Sequence, residues 1–293
     1  MESVSGRERR GRAVRAAVRI AAAHGIGAGA PVVLKDSNNT VVHLAPSPVV
    51  AKVATSAPRK QHASNLGHEL NVALHLARQG APVVPPSGEL PPAVYRDEGL
   101  EVTFWQHCPG EVREEIDRDE LIAAVEEFHA AFAGYGGELK PFTDKYEECR
   151  VLLEGGGLSP ELSDTDRRLL RRVYERLRAE LATFRYECVP AHEEIHGGNV
   201  LWVGARPLLI DFESCCLAPR EIDFLPFSRR RPSALPRLDE RLTEVLGALK
   251  SFCVAVWCWS EPDRAPEVRE AAEYHLGRLR GSEWGEGAAP SGR

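Results

Sequence analysis

The sequence predicts an α+β fold of two lobes, a small β-rich lobe over residues 1–107 and a larger, mainly helical lobe over residues 108–293. Short Val-rich runs separated by turn residues crowd the stretch from Leu34 to Val53, which is strand patterning. Apolar residues at helical spacing dominate from Asp119 onward. One polar segment, His192–Asn199, interrupts that helical pattern and leads into two apolar runs, Val200–Val203 and Leu208–Ile210, that read as a hairpin.

Taken in order, the basic, Ala-rich stretch from Arg7 reads as an amphipathic helix with Val14, Val18 and Ala21 on one face, stopped at Gly25. Acids at Glu2 and Glu8 and the lack of Ser enrichment set it apart from a transit peptide. Leu34–Leu44 gives two strand-like runs around the polar turn Ser37-Asn38-Asn39, and Val49–Val53 a third strand carrying Lys52. Glu69 lies near the start of a helix whose apolar residues fall at 70, 73, 74 and 77. Pro-rich Ala81–Pro92 reads as a loop, and Leu100–Gly110 as a strand running into a Pro-Gly break. Helices follow over Asp119–Ala133, with Leu121, Ile122, Val125, Phe128 and Phe132 on one face, over Asp164–Phe184, and over the largely apolar Leu242–Trp259. The tail Gly285–Arg293 is expected to be disordered.

Composition narrows the class. With 293 residues, 43% apolar and 27% charged, the chain can bury sizeable cores and is neither fibrous nor disordered in type. The seven cysteines form no CxxC pair and are odd in number, the usage of reduced thiols. No apolar stretch reaches the ~20 residues that span a bilayer. Charge is uneven, since residues 1–108 carry 12 Lys/Arg against 8 Asp/Glu, a net of +4, which leaves −10 of the total −6 for residues 109–293. An acidic lobe attracts cationic small molecules. The Arg-rich face of Asp164–Phe184 has acids interleaved and no aromatic pattern, so it reads as a solvated helix and not as a nucleic-acid surface.

The segment His192-Glu193-Glu194-Ile195-His196-Gly197-Gly198-Asn199, followed by Leu208-Leu209-Ile210-Asp211-Phe212-Glu213, carries the chemistry. Glu194 lies five residues before Asn199, and Asp211 ends an apolar strand twelve residues after it. This is the layout of phosphoryl transfer, in which an Asn oxygen and an Asp carboxylate hold Mg²⁺ and another carboxylate accepts the proton of the attacking hydroxyl. Lys52, in Val49-Val50-Ala51-Lys52-Val53, matches the strand lysine that pairs nucleotide phosphates, and Glu69 fits its helical partner.

Together these segments resemble the aminoglycoside phosphotransferase family, small-molecule kinases with a protein-kinase-like fold, whose pattern runs His-Gly-Asp-x-His-x-x-Asn and then Ile-Asp-Phe/Trp-Glu. The chain departs from it in having Glu193 for Gly and Glu194 for the catalytic Asp. One extra methylene moves a carboxylate by about 1.5 Å at full extension, a displacement that matters to rate. The resemblance implies Glu194 as catalytic base, Asn199 and Asp211 as Mg²⁺ ligands, and Lys52 held by Glu69 on the phosphates of ATP or GTP. It further implies Ser37 and Asn38 of the hairpin over the nucleotide, and Trp105, Gln106 and His107 of the hinge beside the base. Glu213 and Asp223 match family positions and are assigned structural roles, and His192 is expected to brace the loop. The expected reaction is transfer of a γ-phosphoryl group to a hydroxyl of a small, cationic acceptor, by a cytoplasmic monomer or homodimer without nucleic-acid or membrane partners. The alternatives are a kinase for a sugar, choline-like alcohol or homoserine, and a catalytically silent nucleotide-binding relative.

Overall fold

A computed structural model describes residues 4–55, 65–113, 118–156, 158–227, 235–260 and 266–285, so most of the tail expected to be disordered lies outside the described residues. Along the chain run α1 (Val4–Ala23), β1 (Val32–Asp36), β2 (Asn39–His43), β3 (Val49–Ala54), α2 (Leu66–Arg78), β4 (Tyr95–Asp97), β5 (Leu100–Gln106) and α3 (Arg118–Phe132). They are followed by α4 (Thr143–Glu154), α5 (Asp164–Leu181), β6 (Val189–Ala191), β7 (Val200–Val203), β8 (Arg206–Leu209), β9 (Cys216–Ala218), α6 (Glu240–Ser260) and α7 (Pro266–Arg280). Short 3-10 turns cover Gly197–Asn199, Phe212–Ser214 and Arg220–Phe227. The mixed α+β composition predicted from sequence is what the chain adopts.

Contacts divide the molecule into two compact units, one built on Met1–Glu138 with Glu194–Cys215, the other on Leu139–Glu193, Cys216–Arg231 and Leu235–Arg293. In the first, five antiparallel strands lie in the order β1-β2-β3-β5-β4. Side chains alternate across a strand, and that alternation sorts this sheet into two faces. Val49, Ala51 and Val53 of β3, with Val102 and Phe104 of β5, pack against Ala13, Ala17 and Ala21 of α1 in one hydrophobic cluster. Small alanines let α1 lie close to the sheet, and Gly25, at φ +80°, turns the chain out of the helix. The other face carries Val50 and Lys52, opposite Trp105 and Thr103 of β5, with Val41 and His43 of β2 on their far side. Lys52 therefore points from this face for the same reason that Ala51 points to the core. The buried side of α2 comprises Leu66, Glu69, Leu70, Val72, Ala73 and Leu76, so Glu69 faces inward and Leu74 is only half-buried. The β7–β8 hairpin is tied into this unit by main-chain bonds between Glu111 and Trp202 and between Leu209 and Pro82.

The second unit is a helical assembly around α6, whose Leu242, Val245, Leu246, Leu249, Phe252 and Val256 are buried among Tyr146, Leu153, Leu170, Val173, Leu177, Leu276 and Leu279. By length and apolarity alone α6 could cross a membrane, contrary to the expectation that no apolar stretch is long enough. Its many buried apolar residues account for that character here, since a helix apolar on most sides is what the centre of a helical core requires. Ser163 caps α5, accepting from the Asp166 N–H at 3.1 Å. The three-residue strands β6 and β9 pair antiparallel, and β6 leads into Glu193. All seven cysteines are free thiols, as their spacing predicts.

Candidate active site

Lys52, Glu69, Glu194, Asn199, Asp211 and Glu213, drawn from segments far apart in sequence, all belong to the first compact unit. Lys52 Nζ donates to Glu69 Oε1 at 2.9 Å and to Asp211 Oδ1 at 3.0 Å, and lies 2.6 Å from Glu213 Oε1. One ammonium thus serves three carboxylates, leaving the group with surplus negative charge. Burial works against the charged lysine, but the charges of Glu69, Asp211 and Glu213 outweigh it and raise its pKa well above the ordinary value. Burial also pushes the Glu69 carboxyl up, opposed by Lys52 and reinforced by Asp211 and Glu213, to about 7.

Glu69 is placed by the inward face of α2, and its Oε1 also accepts from the Phe212 N–H at 3.3 Å. The His68 ring donates to the Cys215 carbonyl at 2.9 Å, so two successive residues of α2 grip the turn that follows Asp211. Asp211 itself has φ +71° and ψ +71°, a left-handed conformation in which a non-glycine residue is strained. Such strain is held where surrounding bonds over-determine the backbone. The Ile210 N–H donates to the Asn199 carbonyl at 3.1 Å, and Asn199 Nδ2 donates to the Glu194 carbonyl at 3.1 Å. These bonds link base candidate, Asn and Asp strand into one hairpin.

The structure brings together Lys52, Glu69 and Asp211 of the sequence-predicted residues, and adds two that were not placed there. Glu213, assigned a structural role from sequence, joins the carboxylate cluster, and its Oε1 accepts from Asn39 Nδ2 at 2.7 Å. Ser37 and Asn38 at the hairpin tip are exposed, so it is the neighbouring Asn39 that reaches the cluster. The available sign for Glu213 was its position two residues after Asp211, where the tight 3-10 turn folds it back toward the same lysine. At the hinge, Trp105 is buried on the Lys52 face and donates its indole N–H to Thr103 Oγ1 at 3.0 Å. The main-chain N–H groups of Gln106 and His107 donate to the carbonyls of Pro85 and Pro48. The His107 ring stacks on His43 with centroids 3.7 Å apart and planes 6° from parallel. Burial, then the His43 charge, lowers the His107 pKa.

The donor set fits a divalent cation. Oxygens of Glu69, Asp211 and Glu213 lie within 4.8 Å of one another, and Glu69 Oε2 is buried with no hydrogen-bond partner among the described residues. All are hard oxygen donors of the kind Mg²⁺ takes.

In the second unit, Asp223 is fully buried and accepts from the main-chain N–H groups of His192 at 2.8 Å and Glu193 at 2.7 Å. This gives Asp223 the structural part expected of it.

A sequence profile described as the Phosphotransferase enzyme family matches residues 25–257. No curated protein sequence matches the chain. Among solved structures, aminoglycoside 2'-phosphotransferase-IIIa in its GDP complex is similar with a TM-score of 0.64 at 13% identity, over 90% of this chain and 98% of that one. A choline/ethanolamine kinase family protein from Mesorhizobium loti gives 0.63 at 15% identity, over 94% and 95%. Amicoumacin kinase hAmiN in complex with AMP-PNP, Ca²⁺ and Ami gives 0.60 at 15% identity, over 85% and 87%. At such identities the likeness is one of fold, while the profile spans most of the chain. The chain therefore belongs to the Phosphotransferase enzyme family and has the fold of small-molecule kinases.

Proposed function

We propose that this protein transfers the γ-phosphoryl group of ATP or GTP to a hydroxyl of a small cationic molecule, an aminoglycoside-like antibiotic or an amino alcohol. The observation that carries the reading is the buried Lys52–Glu69 pair at 2.9 Å with Asp211 3.0 Å from the same ammonium, because this cluster suits a triphosphate with its cation. In the transfer, the acceptor oxygen bonds to the γ-phosphorus as the bond to the β,γ-bridging oxygen breaks. The bridging oxygen leaves with the electron pair on the nucleoside diphosphate, and Glu194 takes the proton of the acceptor hydroxyl. Lys52, held by Glu69, positions phosphates. Asn199 and Asp211, with Glu213 near Asp211, would hold Mg²⁺, which when bound neutralises charge on the phosphates. Ser37 and Asn38 cover the nucleotide from the hairpin, and Trp105, Gln106 and His107 meet its base. The net charge of −10 over residues 109–293 supports a cationic acceptor, and reduced thiols support a cytoplasmic setting. Retention of Lys52, Glu69, Asn199 and Asp211 favours turnover over a silent nucleotide-binding role.

The test is a phosphate-transfer screen of cationic antibiotics and amino alcohols with Mg·ATP and Mg·GTP, run on the parent, Asp211→Ala and Lys52→Ala. Asp211→Ala is expected to lose at least ~10²-fold in turnover, about 3 kcal/mol of transition-state stabilisation, with its fold intact. Lys52→Ala is expected to raise KM for the nucleotide as well as lower kcat, since it meets phosphates in ground and transition states. A folded Asp211→Ala protein turning over like the parent rules the reading out.

A further inference from the structure

Backbone strain, burial and charge coincide at Glu193, a residue without a part in the transfer proposed above. Its φ is +71°. Glycine enters this region freely, whereas a side chain with a Cβ is strained there. The side chain is nonetheless almost fully buried. Lys145 of α4 donates to Glu193 Oε2 at 2.5 Å, and the same ammonium lies 4.6 Å from the centre of the Trp257 ring. Lys250 of α6 donates to the Glu193 carbonyl at 3.0 Å, and the Glu193 N–H donates to Asp223 Oδ1 at 2.7 Å. Carboxylate, carbonyl and N–H of one residue are thus held by three different parts of the second unit. The carbonyl is that of the peptide bond joining Glu193 to Glu194, and the next carbonyl, that of Glu194, accepts from Asn199.

We propose that Glu193 and Lys145 form a positioning pair for Glu194, fixing residue 193 in the left-handed conformation and so setting the peptide from which the proton-accepting carboxylate projects. The inference rests on the reading of Glu194 as the base. A glycine at 193 would reach the same φ without strain but would also be free to leave it. Glu193 stays because its buried carboxylate is neutralised by Lys145 in that conformation, and a buried carboxylate without its cation is strongly disfavoured. A fixed peptide matters more before glutamate than before aspartate, since the longer side chain adds a rotatable bond between backbone and carboxylate.

The experiment compares the parent with Lys145→Met, Lys145→Arg and the double variant Glu193→Gly/Lys145→Met. The double variant removes both charges and the strain together, so it keeps the test open if an unpaired Glu193 prevents folding. Three quantities are read: phosphate release from Mg·ATP with water as acceptor, the Kd for ADP, and amide hydrogen exchange at His192 and Glu193. Lys145→Met and the double variant are expected to slow phosphate release at least tenfold and speed exchange at least tenfold, with the Kd for ADP within twofold of the parent. Lys145→Arg, which keeps the cation, is expected to stay within threefold of the parent in all three. Parent-like exchange or phosphate release in the folded double variant overturns the proposal, and so does an equal loss of ADP affinity, which would mark structural damage. If the parent neither binds ADP nor releases phosphate, it is the kinase reading that fails. The exchange arm then decides the pairing alone, because equal exchange in parent and double variant refutes it.

Discussion

At the scale of single residues, the proposed transfer turns on Glu194. Its carbonyl accepts from Asn199 Nδ2, which fixes its backbone, and the residue is half-buried. A glutamate working from this backbone reaches further than an aspartate would. Glu194→Gln is expected to reduce kcat by about 10²-fold or more, because the amide cannot accept the hydroxyl proton. Glu194→Asp is expected to reduce it less, by roughly tenfold, since the base is kept but withdrawn. Turnover measured with an acceptor from the screen checks both, and unchanged turnover in Glu194→Gln removes Glu194 from the mechanism. Residue identity and spacing singled out Lys52, Glu69 and Asp211, which the structure brings to one ammonium, before any coordinates. Glu213 and Asn39 were not legible as partners, because their meeting at 2.7 Å depends on a hairpin tip and a 3-10 turn lying side by side, and no local pattern encodes that.

At the scale of elements, legibility followed the regularity of the apolar pattern, and α7, as long as α3, went unread. The helices α3, α5 and α6 were readable because four or more turns repeat an apolar stripe, and β3 was readable because alternation puts Lys52 opposite to Ala51. The strands β6 and β9, three residues each, are too short for any period to show, although β6 carries the chain into Glu193. The face of α2 also differed, since a buried Glu69 at the site pulls the inward side toward Leu66 and Val72 and away from Leu74. The part played by α6 is testable through one side chain. Leu249 is almost fully buried among the helices of its unit, so Leu249→Ala removes packed methyl groups and leaves a cavity. A loss of 2–5 kcal/mol is expected for such a site, read as a clear fall in the midpoint of thermal or denaturant unfolding. A loss under about 0.5 kcal/mol would show that α6 is not the core helix. By contrast Ser163→Ala, which deletes the cap of α5 at an exposed position, is expected to cost only about 1 kcal/mol.

At the scale of the whole molecule, hydrophobic clusters within each unit carry stability, and the polar cluster of the first unit works against it. Three carboxylates around one buried lysine suit the proposed metal-bound nucleotide and repel one another without it. The pH dependence of folding should show this. The Glu69 carboxyl titrates near 7 in the folded chain, against an ordinary value of 4.5, so the folded state binds that proton more tightly than the unfolded state does. Its contribution is therefore full below about pH 4.5 and is lost as pH rises through about 7. Lys52, whose pKa is also raised, acts in the same sense but only at pH values above its ordinary range. Between about pH 4.5 and 7.5, because burial also lowers the His107 and His275 imidazoles, which titrate in this range, it is the difference between the parent and Glu69→Gln that reports Glu69. In nucleotide-free, metal-free buffer, the unfolding midpoint of the parent is expected to fall over this range relative to Glu69→Gln, which has no proton to release there. Parallel curves for the two proteins would show that Glu69 is already ionised at low pH, and the surplus negative charge around Lys52 would then have no energetic consequence for the empty site.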